Sequence, residues 1–191
     1  WWITQNHGNR ERFKTLVQRG QLEFIGGGWV QNDEANPTLE SVVNQVSEGH
    51  AFLLETFGVR PKIGWQIDPF GHSAMTPSLF ALLGYDAMVI NRIHFDTKRR
   101  FKATRHMEFL WDGAKLSNNK ELDLRIFTHV LHTHYSAPRG FDFENPGVSQ
   151  VSGYNADGRA RSFASMMRQR QRAYMTNHLL VPFGDDFKFK N

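Results

Sequence analysis

The sequence predicts an α/β domain in which parallel strands alternate with helices. Apolar spacing switches repeatedly between a period near two and a period near 3.6. The strand candidates are separated by stretches long enough for helical crossovers. Polar or aromatic residues also recur wherever an apolar strand run stops.

Phe13, Leu16 and Val17 form a helical face that should end near Gly20, and "LEFIGG" (22–27) then reads as the first strand. Asn36 followed by Pro37 looks like a cap and first helical position. Val42, Val43, Val46 and Leu53 carry that helix to about Phe57. "IGWQID" (63–68) is the next strand, and Leu79, Phe80 and Leu83 mark a short helix that Gly84 could stop. "AMVINR" (87–92), "LRIFTHV" (124–130) and "LLVPFGDD" (179–186) complete five strand candidates, the last preceded by a helix from about Ala160 to Asn177. Stretches 94–120 and 132–158 read as long loops and suggest a functional rim.

Composition narrows the classes. Hydrophobic residues at 40% and charged residues at 22% are globular values. With no cysteine, disulfide scaffolds, thiol nucleophiles and thiolate metal sites are excluded within these 191 residues. No apolar run approaches the roughly 18 residues of a membrane span, so no membrane contact is expected from this segment. Trp1 has no initiator Met before it, and the first residues read like the middle of an element, so a longer protein is expected. Proline spoils the one glycosylation-like triplet, Asn36-Pro37-Thr38. The formal charge of +4 is modest, and without a motif or contiguous patch it does not point to nucleic acid. The densest basic group, Arg159, Arg161, Arg168, Arg170 and Arg172, is either a solvated helix face or the seat of an anionic partner.

The rim candidates carry the chemistry. The strand runs exit into Gly27-Gly28-Trp29, Asp68, Asn91-Arg92, the segment His132 to Tyr135, and Asp185-Asp186. In parallel α/β folds the C-terminal strand ends share one face, where ligands bind. Asp68 follows the core run Ile63, Trp65, Ile67 directly. An unpaired carboxylate buried there would cost several kcal/mol, so it either caps a turn or serves a site that needs negative charge. Carboxylates on two strand ends suit glycoside hydrolysis, which places one on each side of the scissile bond, about 5–5.5 Å apart when configuration is retained. Asp185 and Asp186 are neighbours, so an extended chain turns only one of them towards a substrate. His94-Phe95-Asp96 and His132-Thr133-His134 have metal-ligand spacing, although exposed loop histidines give the same pattern.

Five motifs together resemble the catalytic domain of family 38 α-mannosidases: "QLEFIGGGWVQNDEAN", "GWQIDPFGHSAMTPSLFALLGYDAMVINRIHF", "EFLWDG", "IFTHV" and "LLVPFGDDFKF". The resemblance runs from about Phe13 to the C-terminus, in order and nearly without gaps outside 132–160. It implies an incomplete segment, 1–191, of one α/β glycoside hydrolase domain built as part of a (β/α) barrel-like fold. It also implies a retaining α-mannosidase assisted by zinc, acting on mannose-containing N-glycans or their breakdown products in the Golgi or lysosome.

By resemblance, Asp68 matches the nucleophile, which also ligates the zinc, and Asp186 matches the general acid/base. Phe70 matches an aromatic lining the sugar subsite, Arg92 a substrate-side arginine, and Tyr135 a substrate-binding tyrosine. Asp185 matches a substrate-side position where lysosomal relatives resemble "GSDF". Ser136 departs from the Golgi pattern, which has Asp there, and Lys188 replaces an arginine. The family's zinc site needs further ligands, a His-x-Asp expected before Trp1 and a His expected after Asn191. The expected partner is therefore the rest of the same catalytic domain, and the segment alone is expected to be inactive. A mannose-binding pseudo-enzyme and a metal-dependent polysaccharide deacetylase are the alternatives.

Overall fold

The computed structural model describes residues 1–113, 124–145 and 147–188. Part of the expected loop 94–120, residue 146 and the last three residues lie outside the described residues. A single 3-10 turn, Trp2–Thr4, precedes α1 (His7–Gln18). Then follow α2 (Leu39–Phe57), β1 (Ile63–Gln66), α3 (Met75–Leu82), β2 (Ala87–Ile90), α4 (Phe95–Thr104), β3 (Glu108–Asp112), β4 (Arg125–Val130) and α5 (Ala156–Gln171).

The strands are hydrogen-bonded in the order β1-β2-β4-β3. Asp86 N and Ala87 N, at the start of β2, donate to Lys62 O at the start of β1. Leu131 N, just past β4, donates to Ile90 O at the end of β2. Both pairs therefore run parallel. Val130 N, at the end of β4, donates to Met107 O just before β3, which makes β3 an antiparallel edge. The result is a mixed, open sheet. Four strands are too few to close on themselves, so the expected barrel is not formed by these residues.

Cα packing divides the chain into two compact units. The first comprises Trp1–Gln66, His72–Met88 and Asp112–Ile126, and the second Ile67–Gly71, Val89–Trp111 and Phe127–Asn191. In the first, α2 buries Val46, Gly49 and Leu53, spaced for one helix face. A Cβ at Gly49 would collide with the Gly27 carbonyl and the Gly28 backbone, so α2 lies directly on the glycine loop 26–28. Trp2, Phe13, Phe24 and Phe57 pack ring to ring beside it, with Phe13 central and centroids 4.8–6.1 Å apart. In the second unit the core holds Ile90, Met107, Val130, Leu131 and Tyr174, all at most 2% exposed. The Tyr174 hydroxyl donates to Val130 O, and its ring stacks on His129, which bonds Glu108 at 2.9 Å.

Several sequence expectations change. "LEFIGG" is not a strand, because Gly26 and Gly27 turn to φ 64° and 75° and break the extended run; only the Gly26 N–H reaches β1, at Ile63 O. "LLVPFGDD" forms no ladder either. Pro182 lacks a donor, and among the described residues the segment's backbone bonds are Ala137 N–H to Gly184 O and the turn bond Lys188 N–H to Asp185 O. The N-cap of α2 is Thr38, whose hydroxyl accepts from Ser41 N, while Asn36 bonds to the Asp33 carboxylate. Pro37 therefore precedes the cap. Gly58, at φ 72°, ends α2 as expected after Phe57. The expected loop 94–120 contains α4 and β3. Only Phe95 and Phe101 are apolar aromatics on α4, which buries no residue and so shows no stripe. The final helix runs 156–171 rather than 160–177.

Candidate active site

Asp68 stands two residues past β1, Arg92 two past β2, and Tyr135 five past β4. These three meet. Arg92 donates to Asp68 Oδ1 through Nε at 2.8 Å and Nη2 at 2.7 Å, and the Tyr135 hydroxyl lies 3.1 Å from the same oxygen. Among the described residues no donor reaches Asp68 Oδ2, and the side chain is half exposed. The Arg92 bond outweighs burial and holds the Asp68 carboxyl below its ordinary range, with a smaller contribution from Tyr135. Asp68 is thus an ionised carboxylate with one oxygen clamped and the other open.

The Tyr135 hydroxyl also lies 3.4 Å from Asp186 Oδ1. Because one hydroxyl oxygen reaches both, the Asp68 and Asp186 oxygens are within about 6.5 Å of each other, the scale on which glycosidase carboxylate pairs work. The hydroxyl has one proton, so it donates to only one of the two at a time. Asp185 faces elsewhere. It accepts from Asp186 N at 2.9 Å, and a bond from Ser136, the largest cause, holds its carboxyl below the ordinary range. Phe187 next to Asp186 takes φ 58°, a left-handed conformation that bulky residues rarely adopt. Phe70 exposes 85% of its surface, with the Arg92 guanidinium 5.7 Å from its ring centre. An exposed ring beside a fixed cation offers a flat apolar surface of the kind sugar faces stack on.

The two metal-like patterns resolve as local structure. His94 caps α4, its Nδ1 accepting from Asp96 N, and Asp96 pairs with Arg99 at 2.7 Å. His132 Nδ1 bonds Thr133 Oγ1, and His134 Nδ1 hydrogen-bonds the Ser136 hydroxyl. Among the described residues no group of three or more His, Asp or Glu could hold a metal ion. Asp68 could supply one ligand oxygen, which is too few to hold zinc.

Two supporting residues carry no sequence signal. Glu34 lies in the loop before α2, and its side chain has 0% exposure. Its carboxylate accepts from Gln66 Nε2 at 3.2 Å, His72 Nδ1 at 2.9 Å, Ser73 N at 2.8 Å and the Thr76 hydroxyl at 2.6 Å. Lys98 donates to Asn91 O, Asn91 Oδ1 and Thr133 O, all within 3.0 Å. It thereby ties the segment carrying Arg92 to the segment carrying Tyr135. Burial, with Lys102 nearby, pulls its pKa down to about 8. Only the fold brings these partners together, since Thr133 is 35 residues from Lys98.

Comparison with known proteins shows the family. The family model described as "Glycosyl hydrolases family 38 N-terminal domain" matches residues 1–191. Alpha-mannosidase B of Dictyostelium discoideum is 41% identical over 223 residues, covering 100% of this chain and 21% of that protein. Lysosomal alpha-mannosidase of Cavia porcellus is 37% identical over 200 residues, covering 100% of this chain and 20% of that protein. The crystal structure of an alpha-mannosidase from Enterococcus faecalis V583 superposes on 93% of this chain and 18% of its own, with a TM-score of 0.63 at 23% identity, a likeness of fold. The chain therefore spans about a fifth of the length of the curated relatives it matches. Matched along its whole length, the chain belongs to glycosyl hydrolase family 38.

Proposed function

We propose that the enzyme containing this segment is a retaining α-mannosidase, with Asp68 as nucleophile and Asp186 as general acid/base. The observation that carries this reading is the Tyr135 hydroxyl shared between the Asp68 and Asp186 carboxylates, with Arg92 on only the first. A retaining mechanism needs two carboxyl groups at short range in different electrostatic settings.

In the first step the open Oδ2 of Asp68 attacks the anomeric carbon and the bond to the leaving oxygen breaks. Asp186 gives its proton to that oxygen. In the second step Asp186, now a carboxylate, takes a proton from water; the water oxygen bonds to the anomeric carbon and Asp68 leaves. Arg92 keeps Asp68 ionised and fixes its orientation through Oδ1. Phe70 would stack on the sugar, and Asp185 would line the acceptor side. Asp68 would contribute one ligand to a zinc ion, which would supply Lewis-acid chemistry in the site.

The substrate class is α-linked mannose on N-glycans or their breakdown products. Relatives named lysosomal favour a lysosomal or secretory route, of which the Golgi is the other candidate station. Chain 1–191 is read as an incomplete segment of one catalytic domain, its open sheet part of a barrel-like whole, with the rest of that domain as its partner.

The test uses the full-length enzyme. Asp186→Ala should cripple cleavage of oligomannose far more than cleavage of a dinitrophenyl mannoside, whose leaving group needs no proton. Azide should restore part of the rate by attacking the glycosyl-enzyme. Asp185→Ala should show a smaller loss with no leaving-group dependence. Exchange of these signatures between the two variants would move the acid role to Asp185; absence of leaving-group dependence in both would place the acid outside this chain.

A further inference from the structure

The second unit contains a cavity of about 740 Å³ that the proposed chemistry does not use. Lys102, His132, His134, Arg139, Arg170 and Arg172 line it, and no lining residue is acidic. Arg99 also lines it but is paired with Asp96. Among the described residues Lys102, Arg139, Arg170 and Arg172 have no carboxylate partner. From this cavity we infer an anion subsite for a glycan branch carrying a phosphate or sulfate ester, an inference that rests on the mannosidase reading for its substrate class.

Three observations carry it. The first is uncompensated charge. Four cations converge on one concavity, and bringing a second cation near the first costs energy that an oxyanion would reverse. The field is felt by the side chains themselves. Burial, followed by the nearness of Lys102, Arg170 and Lys98, pushes His132 down to about 4. Burial and then Arg170 lower Lys102.

The second observation is size. A cavity of this volume is far larger than a bare oxyanion needs and falls in the range of sites for small organic ligands, so a sugar bearing the ester fits better than the ion alone. Arginines suit such a group because their planar forks bind oxyanions through two parallel bonds.

The third is position. His134 and Ser136 line the cavity, while Tyr135 between them faces Asp68 and Asp186. One loop thus separates the cavity from the candidate catalytic carboxylates. An ester in the cavity would sit on a sugar neighbouring the cleaved mannose. The arginine cluster of α5 contributes Arg170 and its C-cap Arg172, so the choice between a solvated face and an anionic partner falls to the partner for these two.

The experiment uses the full-length enzyme and a Lys102→Gln/Arg170→Gln double variant, neither residue being part of the proposed catalytic set. Binding of inorganic phosphate and of sulfate is measured by calorimetry at constant ionic strength, because exposed charges are screened by salt. Mannobiosides with and without a phosphate ester on the retained sugar are compared by kcat/KM. The wild type should bind phosphate or sulfate, and the double variant at least about tenfold more weakly, a change of about 1.4 kcal/mol. The variant should lose about the same factor on the phosphorylated mannobioside and keep its rate on the neutral one. Preference for one of the two anions identifies which ester is recognised. No anion binding by the wild type, or binding unchanged in the variant, overturns the subsite, as it would if the rest of the polypeptide covers the cavity. In that case an unimpaired rate on the neutral mannobioside leaves the mannosidase reading standing. Anion binding by an enzyme inactive on every mannoside would remove the mannosidase reading instead.

Discussion

Replacing Glu34 with Gln keeps the shape and removes the charge at the most enclosed acid of the first unit. Glu34 accepts four hydrogen bonds, two on each oxygen, and its side chain has no solvent exposure. A glutamine can accept on one oxygen only. Its NH2 group would then face either the pair Gln66 and His72 or the pair Ser73 and Thr76, donor against donor. Thr76 can rotate its hydroxyl to accept, but the Ser73 backbone N–H cannot. The variant loses charge assistance worth about 1.5–3 kcal/mol and strands a buried donor at about 1–3 kcal/mol, so a total of about 3–5 kcal/mol is expected. For a cooperative unit of this size that is a fall of about 10 °C in apparent Tm. The segment 67–71, bounded by the Glu34 partners Gln66 and His72, carries Asp68. Turnover of an aryl α-mannoside below Tm should therefore drop as well, with KM little changed. Thr76→Val removes one donor of the four and should cost about 1 kcal/mol. An apparent Tm for Glu34→Gln within 2 °C of wild type would refute the reasoning, as would a Thr76→Val loss equal to that of Glu34→Gln.

Gly49→Ala should destabilise the enzyme by about 1–3 kcal/mol despite the better helix propensity of alanine, because the new Cβ would meet the Gly27 carbonyl; thermal unfolding decides, and a neutral or raised Tm counts against the close approach of α2. Asp68→Asn should lower kcat by at least about three orders of magnitude, and turnover within tenfold of wild type would reject the nucleophile assignment. Lys98 has a folded-state pKa of about 8 against 10.5 when free, so between those values the folded chain holds fewer protons than the unfolded one. Stability should therefore rise with pH across that window, with the gain fully present above 10.5 and lost as pH falls through about 8. Lys98→Gln should flatten that slope in denaturant titrations at pH 8 and pH 10.5, and an unchanged slope would exclude Lys98 as its source.

What was legible in the sequence follows from what each signal depends on. Apolar periodicity located α1, α2, α3 and the three parallel strands, because those elements bury one face against their own unit. It missed α4, which is held by its ends: His94 caps it, Asp96 opens it and Lys102 closes it, while no residue on it is buried. It overread "LEFIGG" and "LLVPFGDD", where the apolar alternation is real but glycine φ angles and a proline prevent a ladder. Strand-end polarity pointed to Asp68 and Arg92, which follow β1 and β2 and meet in the fold. The supports were not legible, since Glu34 and Lys98 draw their partners from positions 32 to 42 and 7 to 35 residues away.

The two acidic neighbours of "GDDF" separate on this geometry more sharply than pleat alone allows. Strand alternation says only that one of Asp185 and Asp186 faces the substrate. The segment is not a strand, so even that argument loses its footing. What remains is the hydrogen-bond pattern. Asp185 is occupied by Ser136 and by the N–H of its neighbour, which makes it a turn carboxylate that shapes the chain. Asp186 reaches the Tyr135 hydroxyl, and through it the Asp68 oxygen clamped by Arg92. A proton on that hydroxyl can point to either carboxylate, so Tyr135 links the two side chains. When Asp68 is ionised beside Arg92 the hydroxyl is drawn to it, and Asp186 is left without that donor. Tyr135 also adds to Arg92 in holding the Asp68 carboxyl below its ordinary range. Tyr135→Phe would cut this link while keeping the ring over Arg92. The variant should shift the acid limb of the kcat profile and should spare dinitrophenyl mannosides relative to oligomannose. An unshifted profile would mean that Tyr135 positions the sugar alone.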